Sequence, residues 1–321
     1  MGKSRRENGI KMNIYLAPME GITGYIFRTA QHKHFGGIDK YFTPFITPSH
    51  KGVLGKKVMA EILPENNKGQ LLVPQILTNS AEGFVTMCKS LEQYGYIEFN
   101  LNLGCPSGTV VSKGRGSGFL AYTDELDNFL ENIFKSGFEI SIKTRIGVEN
   151  PDEFYRLLEI YNKYPTKELI IHPRTRKDLY KNHPNMEIYK YAVENSKNKL
   201  CYNGDIFNLE SFKKFKNNFM ETDTIMIGRG VIINPALPLI IKNQGSITKD
   251  SLKSFYYNVY EEYKEILSGS VPLMYKMKEL LLYMVELFNN SEKIAKKIKK
   301  SKNIKDFDAA VEELFCLCNI D

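Results

Sequence analysis

Short apolar, β-branched segments recur through the first three quarters of the chain and predict β-strands. Eight such segments can be read from the sequence: residues 14–17, 41–43, 71–76, 97–101, 140–143, 169–172, 200–203 and 224–227. Between most of them lie helix-length segments with apolar residues three and four positions apart. One, 80–94, begins at a capping residue, Asn79 or Ser80, and another, 123–136, ends at Gly137.

Strands that alternate with helices predict a parallel sheet, and eight such units predict an α/β fold closed into a (β/α)8 TIM barrel. An open, doubly wound sheet is the alternative. The first strand, however, is followed by Ala-Pro-Met-Glu-Gly at 17–21 and not by a dinucleotide-binding fingerprint. The glycine-rich stretch 114–118 has the wrong spacing and no preceding strand. We therefore expect a barrel over residues 14–244, after an N-terminal extension of residues 1–13.

The last quarter of the chain changes character. From about residue 245 onward there is no strand signal, and polar and apolar positions alternate with helical periodicity. The predicted helices cover residues 251–267, 272–288, 291–300 and 307–317. This pattern predicts a small all-helical C-terminal domain over 245–321.

Composition narrows the class of protein. Hydrophobic residues make up 42% and charged residues 25% of the chain, which is typical of a well-packed soluble protein. No apolar stretch approaches the roughly 18 to 20 residues that cross a bilayer, and no signal-peptide core precedes the first strand. We expect a cytoplasmic protein, with a monomer as the default. Five cysteines without a CxxC pair argue against a structural zinc site and a disulfide framework.

The net charge of +7 is modest, but seven lysines fall between positions 293 and 305. They are Lys293, Lys296, Lys297, Lys299, Lys300, Lys302 and Lys305. A charge run of this kind is usually a solvated helix face. Contact with a polyanion is the other interpretation, and the cluster by itself favours neither.

Polar residues gather where most of the predicted strands end, which in a barrel is the catalytic face. A lone histidine on a strand is more often a satisfied core residue, but packing alone does not explain a whole set at one face. The set comprises Pro18, Met19, Gln75, Asn100, Asn102, Cys105, Lys143, Arg145, His172, Arg174, Asn203, Gly204, Asp205, Gly228, Arg229 and Gly230.

Two parts of this set indicate a bound anion and a redox ring. Gly204, Gly228 and Gly230 follow the last two strands, where barrels often hold a phosphate on backbone N–H groups. Arg229 adds a fixed positive charge, so we expect a phosphate-bearing ligand. Lys143, near the end of the fifth strand, could place a cation beside an electron-rich ring such as a flavin.

Cys105 lies in a loop between Gly104 and Pro106. An isolated Gly-Cys-Pro is more often a tight turn than a catalytic site. The glycines that follow it are also compatible with a lid that closes on substrate. A thiol, with an unperturbed pKa of about 8.5, is a suitable acid for delivering a proton to carbon at neutral pH.

Together these residues resemble the tRNA-dihydrouridine synthases. Each matching segment alone is weak evidence, but six of them occur in the same order over roughly residues 14 to 240. The matching segments are 16–23, 102–106, 143–145, 171–176, 203–205 and 227–230. The helical tail also resembles the tRNA-binding domain of that family. Pro173 departs from the glycine that often follows the histidine. It has no N–H to donate to a flavin, and the prediction for His172 is unaffected.

The resemblance implies that specific uridines of tRNA are reduced to 5,6-dihydrouridine, with bound FMN and with NADPH as the reductant. Hydride would reach C6 of the uracil, and the Cys105 thiol would protonate C5. The residues implied for FMN are Pro18, Met19, Gln75, Lys143, His172, Asn203, Gly204, Asp205, Gly228 and Arg229. Asn102 and Arg145 would bind the uracil edge. Outside the uracil site, the residues implied to contact tRNA are Arg174, Arg176, Lys293, Lys296, Lys297 and Lys300.

Two other functions remain open at this point. A flavin barrel acting on a free pyrimidine, such as a dihydroorotate-type dehydrogenase, would also use a cysteine at C5, but it has no need of a basic helical tail. An RNA-binding protein that had lost its chemistry would not need Cys105, Lys143 and His172.

Overall fold

A computed structural model describes residues 12–49 and 53–320, so residues 1–11 of the predicted N-terminal extension lie outside the described residues. The described chain contains the eight predicted strand segments. One of them, 71–76, is divided in two. The strands are β1 (Asn13–Leu16), β2 (Tyr41–Phe42), β3 (Leu72–Val73), β4 (Gln75–Ile76), β5 (Glu98–Leu103), β6 (Glu139–Arg145), β7 (Leu169–His172), β8 (Leu200–Tyr202) and β9 (Thr224–Ile227).

The strands form a parallel barrel. Seven of them are hydrogen-bonded in the order β1-β9-β8-β7-β6-β5-β4, and β2 pairs with β3. The Leu16 N–H donates to the Lys40 carbonyl at 3.1 Å and thereby joins β1 to the start of β2. The ring closes through Pro74, which separates β3 from β4 because proline has no N–H for a ladder. The predicted TIM-barrel class is confirmed, with one strand interrupted at that proline.

Helices alternate with these strands, as the periodicity predicted. The helices of the barrel region are α1 (Tyr25–His34), α2 (Lys56–Ile62), α3 (Ala81–Glu92), α4 (Gly108–Val111), α5 (Thr123–Phe134), α6 (Glu153–Tyr161), α7 (Met186–Asn195), α8 (Leu209–Asn218), α9 (Arg229–Ile233) and α10 (Leu237–Ile241). Ser80 caps α3 by accepting the Gly83 N–H at 3.1 Å. After α5, Gly137 has a φ of +79°, a conformation that glycine adopts without strain.

The described part of the C-terminal region, up to residue 320, contains four α-helices: α11 (Lys249–Ile266), α12 (Ser270–Met284), α13 (Glu292–Lys300) and α14 (Ile304–Leu317). All four were predicted, with ends displaced by a few residues. Helix α12 begins before Pro272, because proline in a first turn lacks only an N–H that would be unpaired there. The Phe255 ring of α11 packs edge-on against Phe27 of α1 at 5.6 Å. Since one hydrophobic core includes barrel and helices, the domain boundary near 245 stays a prediction.

The interior of the barrel is filled, so the polar strand ends surround a mouth and not a pore. A layer of buried side chains from six strands occupies the interior: Tyr15, Phe42, Val73, Ile170, Cys201 and Met226. Across the described ranges, none of the helices is both long and apolar enough to span a membrane.

Candidate active site at the carboxyl ends of the strands

Two adjoining pockets open at the carboxyl ends of the strands. They share Pro18, Met19, Lys143, His172 and Tyr180. The β8–β9 pocket also contains Asn203, Gly204, Asp205, Phe207, Gly228 and Arg229. The Cys105 pocket also contains Glu20, Phe45, Gln75, Asn102, Cys105 and Arg145. Their empty volumes, open mouths included, are about 480 and 770 Å³. All ten residues predicted for a flavin line this double pocket.

One carboxylate organises the β8–β9 pocket. The Asp205 carboxylate accepts two hydrogen bonds from Arg174, at 3.0 and 2.5 Å, and one from Arg229 at 2.7 Å. The Arg229 guanidinium also lies 5.0 Å from the centre of the Tyr180 ring and 4.9 Å from that of Phe207. Arg229 is thus held in place beside the glycines at the ends of β8 and β9.

The geometry does not support the predicted substrate contact of Arg174. Its side chain is only 1% exposed, and it lines neither pocket. Besides Asp205, it donates to the Asn182 carbonyl at 2.5 Å and contacts His172. Its donors face inward because an almost buried guanidinium must find partners within the protein. Arg174 therefore supports Asp205 and His172 from behind the pocket wall.

His172 is held as a neutral imidazole. Its Nε2 atom lies 3.1 Å from Nη1 of Arg174, and arginine can only donate. Nε2 therefore accepts, and the ring proton resides on Nδ1. Burial lowers the pKa of His172 well below its usual value, and the cations Arg145, Lys143, Arg174 and Arg229 lower it further. The ring can act as a hydrogen-bond donor but not as a cation.

Lys143 is the cation at the centre of the double pocket. It pairs in register with Asn102 of β5, so its side chain rises beside the Cys105 loop. Burial lowers its pKa to about 8, and repulsion from Arg145 adds to this effect. At neutral pH the ammonium is still mostly protonated. It can therefore stabilise negative charge that develops on a bound ring or on the thiol.

A chain of amide hydrogen bonds leads from the barrel interior to Cys105. Gln75 donates to Asn100 at 2.8 Å and accepts from Nδ2 of Asn102 at 2.7 Å. The Oδ1 atom of Asn102 accepts the N–H groups of Gly104 and Cys105 at 3.0 and 2.9 Å. The Oδ1 atom and one Nδ2 hydrogen of Asn102 are therefore already used. Only its second Nδ2 hydrogen remains for the predicted contact with a uracil.

Arg145 supports the same turn from the neighbouring strand. Its Nε donates to the Gly104 carbonyl at 2.9 Å, and its Nη1 donates to the Thr175 carbonyl at 2.8 Å. The guanidinium lies 5.5 Å from the centre of the Tyr180 ring. Arg145 lines the Cys105 pocket, so it could meet a substrate while it holds the loop.

The partly buried Cys105 thiol lies near two cations, Arg145 and Lys143. Burial raises its pKa, and the Ser107 backbone amide, Arg145 and Lys143 oppose that shift without cancelling it. The thiol therefore stays protonated at neutral pH. Reactive cysteine nucleophiles have the opposite property, a lowered pKa. A protonated thiol with two cations nearby can lose its proton to a substrate and leave a stabilised thiolate.

Tyr180 is the main residue of the site that the sequence did not reveal. It lies in the long loop between β7 and α7, lines both pockets, and is half exposed. Its ring centre is 5.9 Å from that of His172. The loop has no periodicity from which to infer a role. The only available signal was a single aromatic residue in a polar segment shortly after His172.

Known proteins similar to this chain agree on one family. Residues 15–315 match the dihydrouridine synthase (Dus) family. A probable tRNA-dihydrouridine synthase of Staphylococcus epidermidis is 30% identical over 227 residues, which are 68% of this chain and 69% of that protein. Probable tRNA-dihydrouridine synthase 2 of Bacillus subtilis is 29% identical over 257 residues, 78% of each chain.

The chain belongs to the dihydrouridine synthase family. Among solved structures, morphinone reductase aligns with a TM-score of 0.51 and 11% identity over 73% of this chain and 86% of its own. A complex of 2-naphthoyl-CoA reductase aligns with a TM-score of 0.54 and 9% identity over 72% of this chain and 50% of its own. At such identities these two likenesses concern the fold.

The lysine cluster of this dihydrouridine synthase family member lies on and just after α13. Ile294 and Ile298 face the core, so the lysines are on the solvent side of the helix. Lys297 forms an ion pair with Glu313 at 2.7 Å. Within residues 12–49 and 53–320, the other six lysines have no carboxylate within 4 Å. Lys278 of α12 anchors the end of α13 by donating to the Ser301 carbonyl at 2.6 Å.

Arg176 likewise lies outside the double pocket. Its guanidinium pairs with Glu149 at 2.5 Å, and about a third of its side chain is exposed. Contact of Arg176 with tRNA stays a prediction.

Proposed function

We propose that this chain reduces specific uridines of tRNA to 5,6-dihydrouridine, with FMN as its bound flavin and NADPH as its reductant. The observation that carries this proposal is the placement of a protonated Cys105 thiol beside Lys143 and His172, in a pocket continuous with an arginine-bearing one. The Cys105 pocket supplies an acid that can protonate one carbon of a double bond. The adjoining pocket can hold the phosphate of a redox cofactor that reduces the other carbon.

The residues of the β8–β9 pocket are compatible with the phosphate of FMN. Arg229 offers charged donors, and the glycines after β8 and β9 leave the backbone N–H groups uncovered by side chains. A Cβ added at Gly228 would lie 3.4 Å from the Ala17 Cβ and the Met19 Sδ and would narrow the pocket. A Cβ at Gly230 would lie 2.1 Å from the Ile206 carbonyl oxygen, so only glycine allows the two loops to meet there. A phosphate would compete with Asp205 for Arg229.

The remaining flavin contacts would come from the shared wall of the two pockets and from one amide side chain in each pocket. Lys143 would place its cation beside the ring, the Nδ1–H of His172 would donate to a ring acceptor, and Gln75 and Asn203 would supply amides. When bound, the flavin supplies the hydride that uracil C6 receives.

The chain itself supplies the proton. The Cys105 S–H bond breaks as a C–H bond forms at C5 of the uracil, and the electron pair stays on sulfur as a thiolate. Lys143 and Arg145 stabilise that charge. The Nη2 group of Arg145, whose Nε and Nη1 donate to backbone carbonyls, and the second Nδ2 hydrogen of Asn102 would orient the carbonyl edge of the base. A cysteine acting in this way must regain a proton from solvent before the next turnover.

The unpaired lysines of α13 supply contacts to the tRNA body. A uridine must leave its stack to enter a barrel mouth, at a cost of a few kcal/mol that stacking and backbone contacts offset. Lysines contact phosphates without reading bases, so they would position the tRNA and leave the choice of base to the pocket.

The test compares substrates on the flavin-loaded protein with NADPH. We expect unmodified tRNA to gain two hydrogens at specific uridines, whereas free uridine and orotate stay unreduced. Faster reduction of the free pyrimidine would favour the dihydroorotate-type alternative and contradict this proposal. A protein that remains colourless near 450 nm after incubation with FMN would contradict both. Truncating the chain near 245 is a poor substitute, because Phe255 packs into the barrel core.

A further inference from the structure

The segment that follows α4 folds back over Cys105. The carbonyl oxygen of Cys105 accepts two hydrogen bonds from Ser117, one from its N–H at 3.1 Å and one from its hydroxyl at 2.9 Å. The Ser117 side chain is fully buried. A buried hydroxyl aimed at one particular carbonyl is a specific, oriented contact.

Gly116 brings this segment against Cys105. Its φ is +55°, in the left-handed region that favours glycine. A Cβ added there would lie 2.7 Å from the Cys105 carbonyl oxygen and 3.1 Å from the Cys105 Cβ. The backbone at 116 therefore touches Cys105 directly, and no larger residue could take this place without moving the cysteine.

The preceding peptide group of Cys105 is fixed as well. Its N–H is held by Asn102, and the carbonyl of Gly104 is held by Arg145. With both flanking peptide groups restrained, the direction of the Cys105 Cα–Cβ bond is set. Only rotation about that bond is left to decide where the thiol points.

We propose that Ser117 is a positioning residue for the Cys105 thiol. Its hydroxyl holds the carbonyl side of Cys105 so that the Cα–Cβ bond directs the side chain into the pocket that Cys105 lines. Proton transfer needs a donor within hydrogen-bond reach of the carbon, and a displacement of about 1 Å can cost ~100-fold in rate. The effect on uridine reduction depends on the proposed function, but the effect on the thiol itself does not.

Ser117→Ala tests the proposal through two rates: oxidation of the enzyme by tRNA should become slower, and alkylation of Cys105 should become faster. In single turnover at saturating tRNA, oxidation of the reduced enzyme should slow by about 10-fold. In steady-state assays the loss should appear in kcat and not in KM for tRNA. Alkylation of Cys105 by iodoacetamide, followed by peptide mass mapping, should become several-fold faster because the thiol is less confined. Reduction of the flavin by NADPH should not change.

Controls distinguish a local effect on the position of Cys105 from a general destabilisation of the fold. Cys88 and Cys201 are buried and should stay unmodified in the variant, whereas global destabilisation would expose them. Ser196→Ala removes a comparable hydroxyl–carbonyl bond, 3.1 Å to Asn198, at the opposite end of the barrel and should match the parent in both readouts. If Ser117→Ala does not fold, Gly116→Ala displaces Cys105 while keeping the hydroxyl and should give the same two changes.

Cys105 alkylation at the parental rate in the variant would overturn the proposal, as would unchanged oxidation by tRNA. A parent enzyme inert toward tRNA would instead contradict the proposed function. In that case the alkylation rates would still decide whether Ser117 positions Cys105.

Discussion

Nη1 of Arg174 lies 3.1 Å from Nε2 of His172, and this contact assigns the proton of the imidazole to Nδ1. The same arginine holds Asp205, which in turn holds Arg229. One buried guanidinium thus sets both the tautomer of His172 and, through Asp205, the position of Arg229, which we propose binds a phosphate. The two pockets are coupled through a residue that lines neither of them.

The first prediction concerns the protonation of His172. Its pKa is lowered in the folded state, so below about pH 6.5 the unfolded chain binds a proton that the folded chain does not. The contribution of His172 to the free energy of unfolding is therefore present above about pH 6.5. It is lost as the pH falls from there toward the lowered pKa of the folded state. The slope is at most about 1.4 kcal/mol per pH unit. Urea unfolding at pH 7 and pH 5.5 should show a smaller pH-dependent loss for His172→Asn than for the parent.

The matched control is His183→Asn, because His183 is exposed in the loop before α7. It should retain the parental pH dependence. Equal pH dependence for parent and His172→Asn would contradict the neutral assignment.

The second prediction concerns the arginine of the β8–β9 pocket. Arg229→Gln removes a guanidinium expected to bind the FMN phosphate. Hydrogen bonds to charged groups are worth about 1.5–3 kcal/mol, so the Kd for FMN should rise roughly 10- to 150-fold. Quenching of flavin fluorescence measures it. Arg156→Gln alters a surface arginine on α6 that pairs with Glu159 and should leave FMN affinity unchanged. An unchanged Kd in Arg229→Gln would place the phosphate elsewhere.

The third prediction distinguishes lysines within one helix. Lys296→Gln and Lys300→Gln each remove an unpaired charge and should reduce the salt dependence of tRNA binding by about one phosphate contact, a slope change near 0.7–0.9. Lys297→Gln should have a smaller effect, because that ammonium already pairs with Glu313. Lys213→Gln, on α8, serves as the surface control. Binding measured between 50 and 200 mM salt tests the ranking. Equal slopes for all four variants would exclude α13 as a tRNA contact.

The barrel was largely readable from the sequence because its strands are nearly continuous apolar runs separated by helical periodicity. The division of the third segment was not predicted, although Pro74 was visible, because hydrophobic pattern alone does not show which neighbour each half pairs with. The ends of α12 also differed, since a proline in a first helical turn does not mark where the helix begins.

The site was only partly readable. Position along the strands predicted which residues reach the barrel mouth, because the ends of parallel strands share one edge. The direction of each side chain was not predictable. Arg174 follows β7 like its neighbours but turns inward to Asp205, and the Asn102 oxygen is taken by the Cys105 turn. Tyr180 and Ser117 come from loops, where no periodicity links a residue to the partner it meets.

We expect Cys105 to protonate a uracil of tRNA. Cys105→Ala should keep flavin binding and reduction by NADPH, and should slow uridine reduction by about 10²- to 10⁴-fold, the range for loss of a general acid. Cys316→Ala, at an exposed cysteine of α14, is the matched control and should behave like the parent. The deciding measurement is the rate at which unmodified tRNA gains dihydrouridine, quantified by nucleoside mass spectrometry. The expected result is dihydrouridine from the parent and from Cys316→Ala, with almost none from Cys105→Ala. Equal rates for Cys105→Ala and the parent would contradict it.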